Sequence, residues 1–265
     1  MAATRTGRYN LASSRPVRHP DSGTVELKRS KPQRAAGLLL SLAGATILMG
    51  SITAEALYPR IYTTHINTLS HLGATEPPDS AVLQPSAAIF DTTMLVAGFL
   101  ILAAAWLAAR GLRRKTVTIP TAILGLGVLG VGFFPLTRPG PHTLFALAAF
   151  YAGGVAVVLS ARITTAPFRY VWMTMGTVAL GAITLGIFQP DWGPVAELGE
   201  GGIERWNAYP IVLWLVAFGS YLMAAAPGRP PPVEAPGRPL PLYREPRHSS
   251  GDSRDRGGSQ VGEIR

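Results

Sequence analysis

Six stretches of this chain are apolar, almost uncharged and long: residues 35–57, 86–109, 117–135, 142–161, 170–189 and 207–226. Each runs to about 20 residues, the length that carries an α-helix across a hydrocarbon core of about 30 Å. Core helices of soluble proteins are shorter and keep a polar face. The fold this predicts is all-α: one membrane domain of six transmembrane helices at 35–226, flanked by polar tails at 1–34 and 227–265. Both tails are rich in Arg and Pro, lack apolar periodicity and read as disordered segments. The tract from Pro230 to Pro241 has the composition of a polyproline II linker.

The net charge of +9 raises the question of nucleic acid, and the placement of the charge answers it. Residues 1–34 carry eight Lys/Arg; Arg110, Arg113, Arg114 and Lys115 fill the second connection, and Arg162 and Arg169 the fourth. The alternate connections hold only Arg60, Arg138 and Arg205, and they carry Glu76, Asp79, Asp191, Glu197, Glu200 and Glu204. By the positive-inside rule both termini are expected in the cytoplasm, in the plasma membrane, with no nucleic-acid partner. Lys28, Arg29, Lys31, Arg34, Arg113, Arg114 and Lys115 are then expected to meet anionic lipid at the inner surface. Ala54-Glu55-Ala56 imitates a signal-peptidase site, but the apolar run before it is too long for a signal peptide, so an uncleaved first helix is expected.

The chain contains no cysteine, which removes disulfides, thiolate catalysis and Cys-based zinc sites. It carries no Walker, dinucleotide-binding, zinc-finger or kinase motif, and no cofactor is expected.

Small residues recur at helical spacing, as in Gly37, Ser41 and Ala45, or Thr46, Gly50 and Ala54, and mark faces that approach other helices in lipid. Asp91 shares a face with Gly98 and Ala105, His142 with Ala149 and Ala156, and Glu55 with Ser51, Gly44 and Gly37. These faces point Glu55, Asp91 and His142 into the bundle. The three outward-running helices end on Tyr58-Pro59, Phe134-Pro135 and Phe188-Gln189-Pro190, an interfacial aromatic with a helix stop.

The connection His65–Asp91 is the most polar internal stretch. It holds His65, His71 and the prolines Pro77, Pro78 and Pro85, and it delivers Asp91 into the second helix. An acidic, glycine-rich loop is expected at 190–206, with Glu204-Arg205-Trp206-Asn207 opening the sixth helix. A polar pocket on the outer side is therefore expected from Glu55, Asp91, His142, Glu204 and Arg205. Ionisable groups in membrane segments are costly and mostly serve function. The plain structural alternative is that Asp91 pairs with Arg60, Arg138 or, most naturally, Arg205, and that His142 caps its helix.

Two rival chemistries use the same region. His65, His71, His142 and Asp91 supply ligand types for zinc and a metal-dependent hydrolase acting on lipids. The six-residue spacing of His65 and His71 is not the i, i+4 pair of a zincin helix. Ser70 lies beside His71, but adjacency in sequence does not supply the geometry of a nucleophile and its base. A proton-coupled transporter would use Glu55 or Asp91; against it stand the lack of charge at mid-membrane depth and of a broken helix.

Ser70-His71-Leu72-Gly73, a proline-bearing spacer and then Pro85 to Phe90-Asp91 resemble the prokaryotic membrane proteins grouped as domain of unknown function 998. Gly132-Phe133-Phe134-Pro135 followed by His142, and Gly202-Ile203-Glu204-Arg205 leading to Tyr209-Pro210 and Trp214, extend the resemblance over about residues 35–226. The family pattern often has Asn where Asp91 stands. The resemblance implies a six-helix membrane fold and supplies no activity. The function expected is non-catalytic: an outward-facing pocket for a lipid-like or small polar ligand, or for a partner in the envelope.

Overall fold

The computed structural model describes residues 30–112 and 115–224. Within them lie six helices long and apolar enough to cross a membrane, and no strand: α1 Lys31–Ala56, α2 Ser86–Gly111, α3 Lys115–Phe133, α4 Pro139–Ser160, α5 Phe168–Phe188 and α6 Gly193–Met223. The chain is a multi-pass membrane protein. The tails at 1–29 and 225–265, and with them Lys28, Arg29, Arg113 and Arg114, lie outside the described residues; Lys31, Arg34 and Lys115 are exposed.

Each helix packs on its neighbours in sequence, and α6 closes the circuit against α1. The contact of α4 with α6 is slight, and a groove follows from it. The core is built from Leu40, Ile101, Val157, Trp172, Trp214 and Phe218, all nearly inaccessible. Leu42, Met49, Phe99, Trp106, Leu126 and Leu213 point outward. An apolar surface of this extent is stable in lipid and a liability in water. Since lipid is as apolar as these side chains, close packing has to hold the helices together. Gly37 and Gly219 let α1 and α6 touch backbone to backbone; a Cβ on either would run into the other's carbonyl oxygen. Ser41 Oγ adds a hydrogen bond of 3.0 Å to the Val216 carbonyl across this seam. The face Gly37, Gly44, Ser51 is buried as the spacing predicts, while Ala45 of the overlapping ladder is exposed.

Helix α6 corrects the sequence reading. Residues 193–206 are helical, not an acidic loop, and this stretch carries a break in α6 at Gly199 (φ 67°, ψ 173°). Pro194 in the first turn suits a helix start, where no intrahelical N–H is needed. The glycines that read as loop punctuation serve a close contact instead. Residues 64–67 of the long connection lie directly on α6, and a Cβ at Gly199 would strike the His65 carbonyl, one at Gly201 the Asn67 and Thr64 carbonyls. The Gly201 amide donates to the His65 carbonyl at 3.2 Å.

Candidate functional site

The 57–85 connection folds back onto the bundle and supplies half of the site. Asn67 closes its first turn, its amide donating to the Thr63 carbonyl at 2.8 Å and its side chain accepting from the Thr63 amide at 2.9 Å. A 3-10 turn follows at Leu69–Leu72. Its start is capped by His71 Nδ1, which accepts from the Thr68 amide at 3.1 Å. Leu69 and Leu72 are buried and anchor the turn between the helices. Ser70 lies between these two anchors and is carried inward with them, 9% exposed.

Ser70 is the midpoint of a polar chain. His142, 3% exposed, comes from the first turn of α4, and its Nε2 lies 3.0 Å from Ser70 Oγ. His142 Nδ1 lies 2.7 Å from the carbonyl of Phe134. A carbonyl only accepts, so Nδ1 carries a hydrogen and the ring's orientation is set by the backbone. On the other side Ser70 Oγ is 3.2 Å from Glu204 Oε1, and the Leu69 amide donates to Glu204 Oε2. The hydroxyl has one hydrogen to give. For both of its contacts to be hydrogen bonds, the chain must hold one proton more than a neutral imidazole and a carboxylate together provide. That proton has two homes. Either the imidazolium donates to Ser70 and Ser70 to the carboxylate, or the carboxylic acid donates to Ser70 and Ser70 to the imidazole.

The chain sits where two hollows meet. One is an internal cavity of about 80 Å³, walled by Phe90, Met94, Leu124, Val128 and Ile211. The other is an open groove of about 490 Å³ along α4, α5 and α6, walled by Leu147, Ile183, Ile187 and Ile203, with His142, Glu76 and Glu200 also in its lining. Ser70, Ala146, Phe150 and Glu204 line both. Ser51 Oγ also faces the internal cavity and has no hydrogen-bond partner.

Arg205, the next residue on α6, turns the other way. Its Nη1 donates to the carbonyls of Asn67 and Gly201 at 2.8 Å and of Thr64 at 3.3 Å, and Nη2 to the Tyr62 hydroxyl at 2.8 Å. Glu55 Oε2 lies 3.6 Å from Nη2. Tyr62 passes its own hydrogen to the Thr68 carbonyl at 2.8 Å. Burial raises the Tyr62 hydroxyl well above its ordinary pKa, against the opposing pull of Arg205, so it stays a neutral phenol able to donate and accept.

The residues expected to form one pocket thus divide. Glu55 and Arg205 form one cluster, His142 and Glu204 another. The expected pair of Asp91 with Arg205 does not form: Arg205 is taken by Glu55 and the long connection, and Asp91 Oδ1 is buried without a hydrogen-bond partner beside Gly73. Nor does His142 cap its helix by side chain. The zinc set does not converge either. His71 is held by the Thr68 amide and by Glu76 at 3.3 Å, His65 is exposed, and among the described residues no three His, Asp or Glu side chains form a metal-ligand group. Ser70 is paired with His142, 72 positions away, and not with the adjacent His71. The signal that could have shown this was the glycine-rich stretch 199–202, where the absence of a side chain at Gly199 and Gly201 lets the connection press against the turn that carries Glu204.

No curated protein and no solved structure matches the chain. A family model described as "Protein of unknown function (DUF998)" matches residues 41–221, from within α1 to near the end of α6 and including every residue of both clusters, and the chain belongs to that family.

Proposed function

We propose that this protein sits in the plasma membrane with both termini in the cytoplasm, and binds an amphipathic, lipid-like molecule at Ser70, His142 and Glu204 on the outer side. The observation that carries the reading is the meeting of that polar chain with an apolar cavity and with a groove that has an apolar wall of Leu147, Ile183, Ile187 and Ile203 beside Glu76 and Glu200. Ligand sites are commonly of this kind, mostly apolar with a few placed polar groups that fix orientation. The polar end of the molecule meets Ser70 and His142, and its hydrocarbon lies along Leu147, Ile183 and Ile187. The orientation is supported by Arg110, Lys115, Arg162 and Arg169, which all belong to the end of the bundle opposite the long connection. Exposed Lys31, Arg34 and Lys115 at that end suit anionic headgroups.

Native mass spectrometry of gently solubilised protein tests the reading, with wild type beside Ala146→Phe. Ala146 lines both hollows, and a phenyl ring there fills their junction. Wild type is expected to retain a lipid-like molecule near one per chain and the variant to lose it. Retention unchanged by the variant, or no retention in wild type, would falsify this site.

A further inference from the structure

We infer that the site is also catalytic, with Ser70 as an acyl-accepting nucleophile, His142 as its base and Glu204 as donor to the oxyanion, acting on an ester of an amphipathic molecule. This rests on the binding reading above and adds a reaction to it.

Three features of the geometry support it. First, a nucleophile and a base must lie within hydrogen-bond reach, and Ser70 Oγ to His142 Nε2 is 3.0 Å. Second, the base must be held in one tautomer by a further group, and the Phe134 carbonyl does this at Nδ1 with a 2.7 Å bond. A purely structural serine has no need of a tautomer-fixed imidazole. Third, the nucleophile must be reachable by an apolar substrate, and Ser70 lines both the open groove and the internal cavity. The internal cavity, at about 80 Å³, takes a chain end or a small leaving group, and the groove takes the longer hydrocarbon.

The proton count joins these parts. In the arrangement where His142 is neutral and can act as a base, the extra proton is on Glu204. The carboxyl group 3.2 Å from Ser70 Oγ is then a hydrogen-bond donor next to the bond-forming atom, where oxyanion stabilisation is needed. The reaction runs as follows. Ser70 Oγ attacks the ester carbonyl carbon while its proton passes to His142 Nε2. The carbonyl oxygen takes up the electron pair and accepts the hydrogen bond from Glu204. Collapse breaks the ester C–O bond, and the leaving alkoxide takes the proton from His142 and departs as the alcohol. Water then attacks acyl-Ser70, giving a proton to His142; the carboxylic acid leaves and Ser70 Oγ recovers the proton. Ester and water become acid and alcohol, and no oxidant or metal enters the balance.

A fluorophosphonate carrying a long alkyl chain is the probe, because it phosphonylates a serine only when that serine is activated. Full-length protein in detergent is treated with it, and the adduct is located by peptide mass spectrometry. Retained lipid is measured on the same preparation. The expected result is an adduct on Ser70 in wild type, slowed about 100-fold or more in His142→Gln, in line with the usual contribution of a general base. The variant's melting temperature is read alongside, so that a folding defect is separated from loss of the base. An unmodified Ser70 in protein that still retains lipid overturns catalysis and leaves the binding site standing. An unmodified Ser70 in protein that retains no lipid overturns both. Labelling of Ser70 that His142→Gln leaves at the wild-type rate overturns the role of His142.

Discussion

Glu204 and Arg205 are neighbours on α6, both nearly buried, opposite in charge, and both bonded to the same connection, yet their surroundings differ in kind. Arg205 is wrapped in main-chain carbonyls and a phenol, with Glu55 at the edge. These partners cannot take a proton from it or change place without unfolding the connection. Glu204 meets the Leu69 and Ser70 amides and the Ser70 hydroxyl, and that hydroxyl touches a histidine beside an open groove. Its partners can exchange protons and can be reached from outside. A buried charge saturated by backbone is a clasp. A buried charge in a short series of titratable side chains next to empty space is a site. Burial alone, which the two residues share, does not separate the two roles.

The largest expected effect is on the clasp. Arg205→Ala leaves the Thr64, Asn67 and Gly201 carbonyls without their donor and Glu55 without its cation. Hydrogen bonds from a charged group contribute about 1.5–3 kcal/mol each, and Arg205 makes several, so thermal unfolding in detergent is expected to show a steep loss of melting temperature. A variant that melts like wild type would show that the connection is held down without the Arg205 network. Gly201→Val comes next. Its side chain meets the Asn67 and Thr64 carbonyls, and overpacking of this kind costs about 1–3 kcal/mol. Limited proteolysis within 57–85 should rise in step.

Glu204→Gln reverses the pattern. The amide oxygen keeps the bond from the Leu69 amide, so the stability change is expected to stay within about 1 kcal/mol. The amide N–H takes the donor's place beside Ser70 Oγ, so phosphonylation of Ser70 is expected to stay within about tenfold of wild type, whereas Glu204→Leu, with no donor there, is expected to slow it by about 100-fold. A Leu variant that keeps the wild-type labelling rate would make Glu204 a second clasp and erase the contrast with Arg205.

Helix number, the approximate spans of α1 to α5 and the inward faces of His142, Gly98 and Ala149 were legible because membrane length and helical spacing act locally along the chain. The site was legible only by residue type. Glu55, His142, Glu204 and Arg205 stand out as ionisable groups in apolar surroundings, but their sorting into two clusters depends on how the 57–85 connection folds back. That path is set by contacts with no periodic signature: two leucines that sink a 3-10 turn, and glycines on α6 that admit the backbone of residues 64–67. A glycine-rich acidic stretch reads as a loop because glycine is a turn former in isolation. Here Gly199 breaks α6 and Gly201 is helical, both because another backbone lies against them. For the same reason Ser70 was weighed against the histidine beside it and not against the one 72 positions on.

Asp91 is a further carboxylate at this end of the bundle and should show the smallest effect. It belongs to neither cluster: its Oδ1 is buried beside Gly73 and has no hydrogen-bond partner. A carboxylate oxygen held away from water without a donor raises the free energy of the folded state, and a neutral amide of the same shape lowers that cost. Asp91→Asn is therefore expected to leave the melting temperature equal or raise it slightly, with lipid retention and Ser70 phosphonylation unchanged. A fall in labelling without a fall in stability would place Asp91 in the site with Glu204, as a further acceptor for the shared proton. A fall in stability would place it with Arg205 among the residues that hold the connection down. Either result would redraw the line between clasp and site through α2 as well as α6.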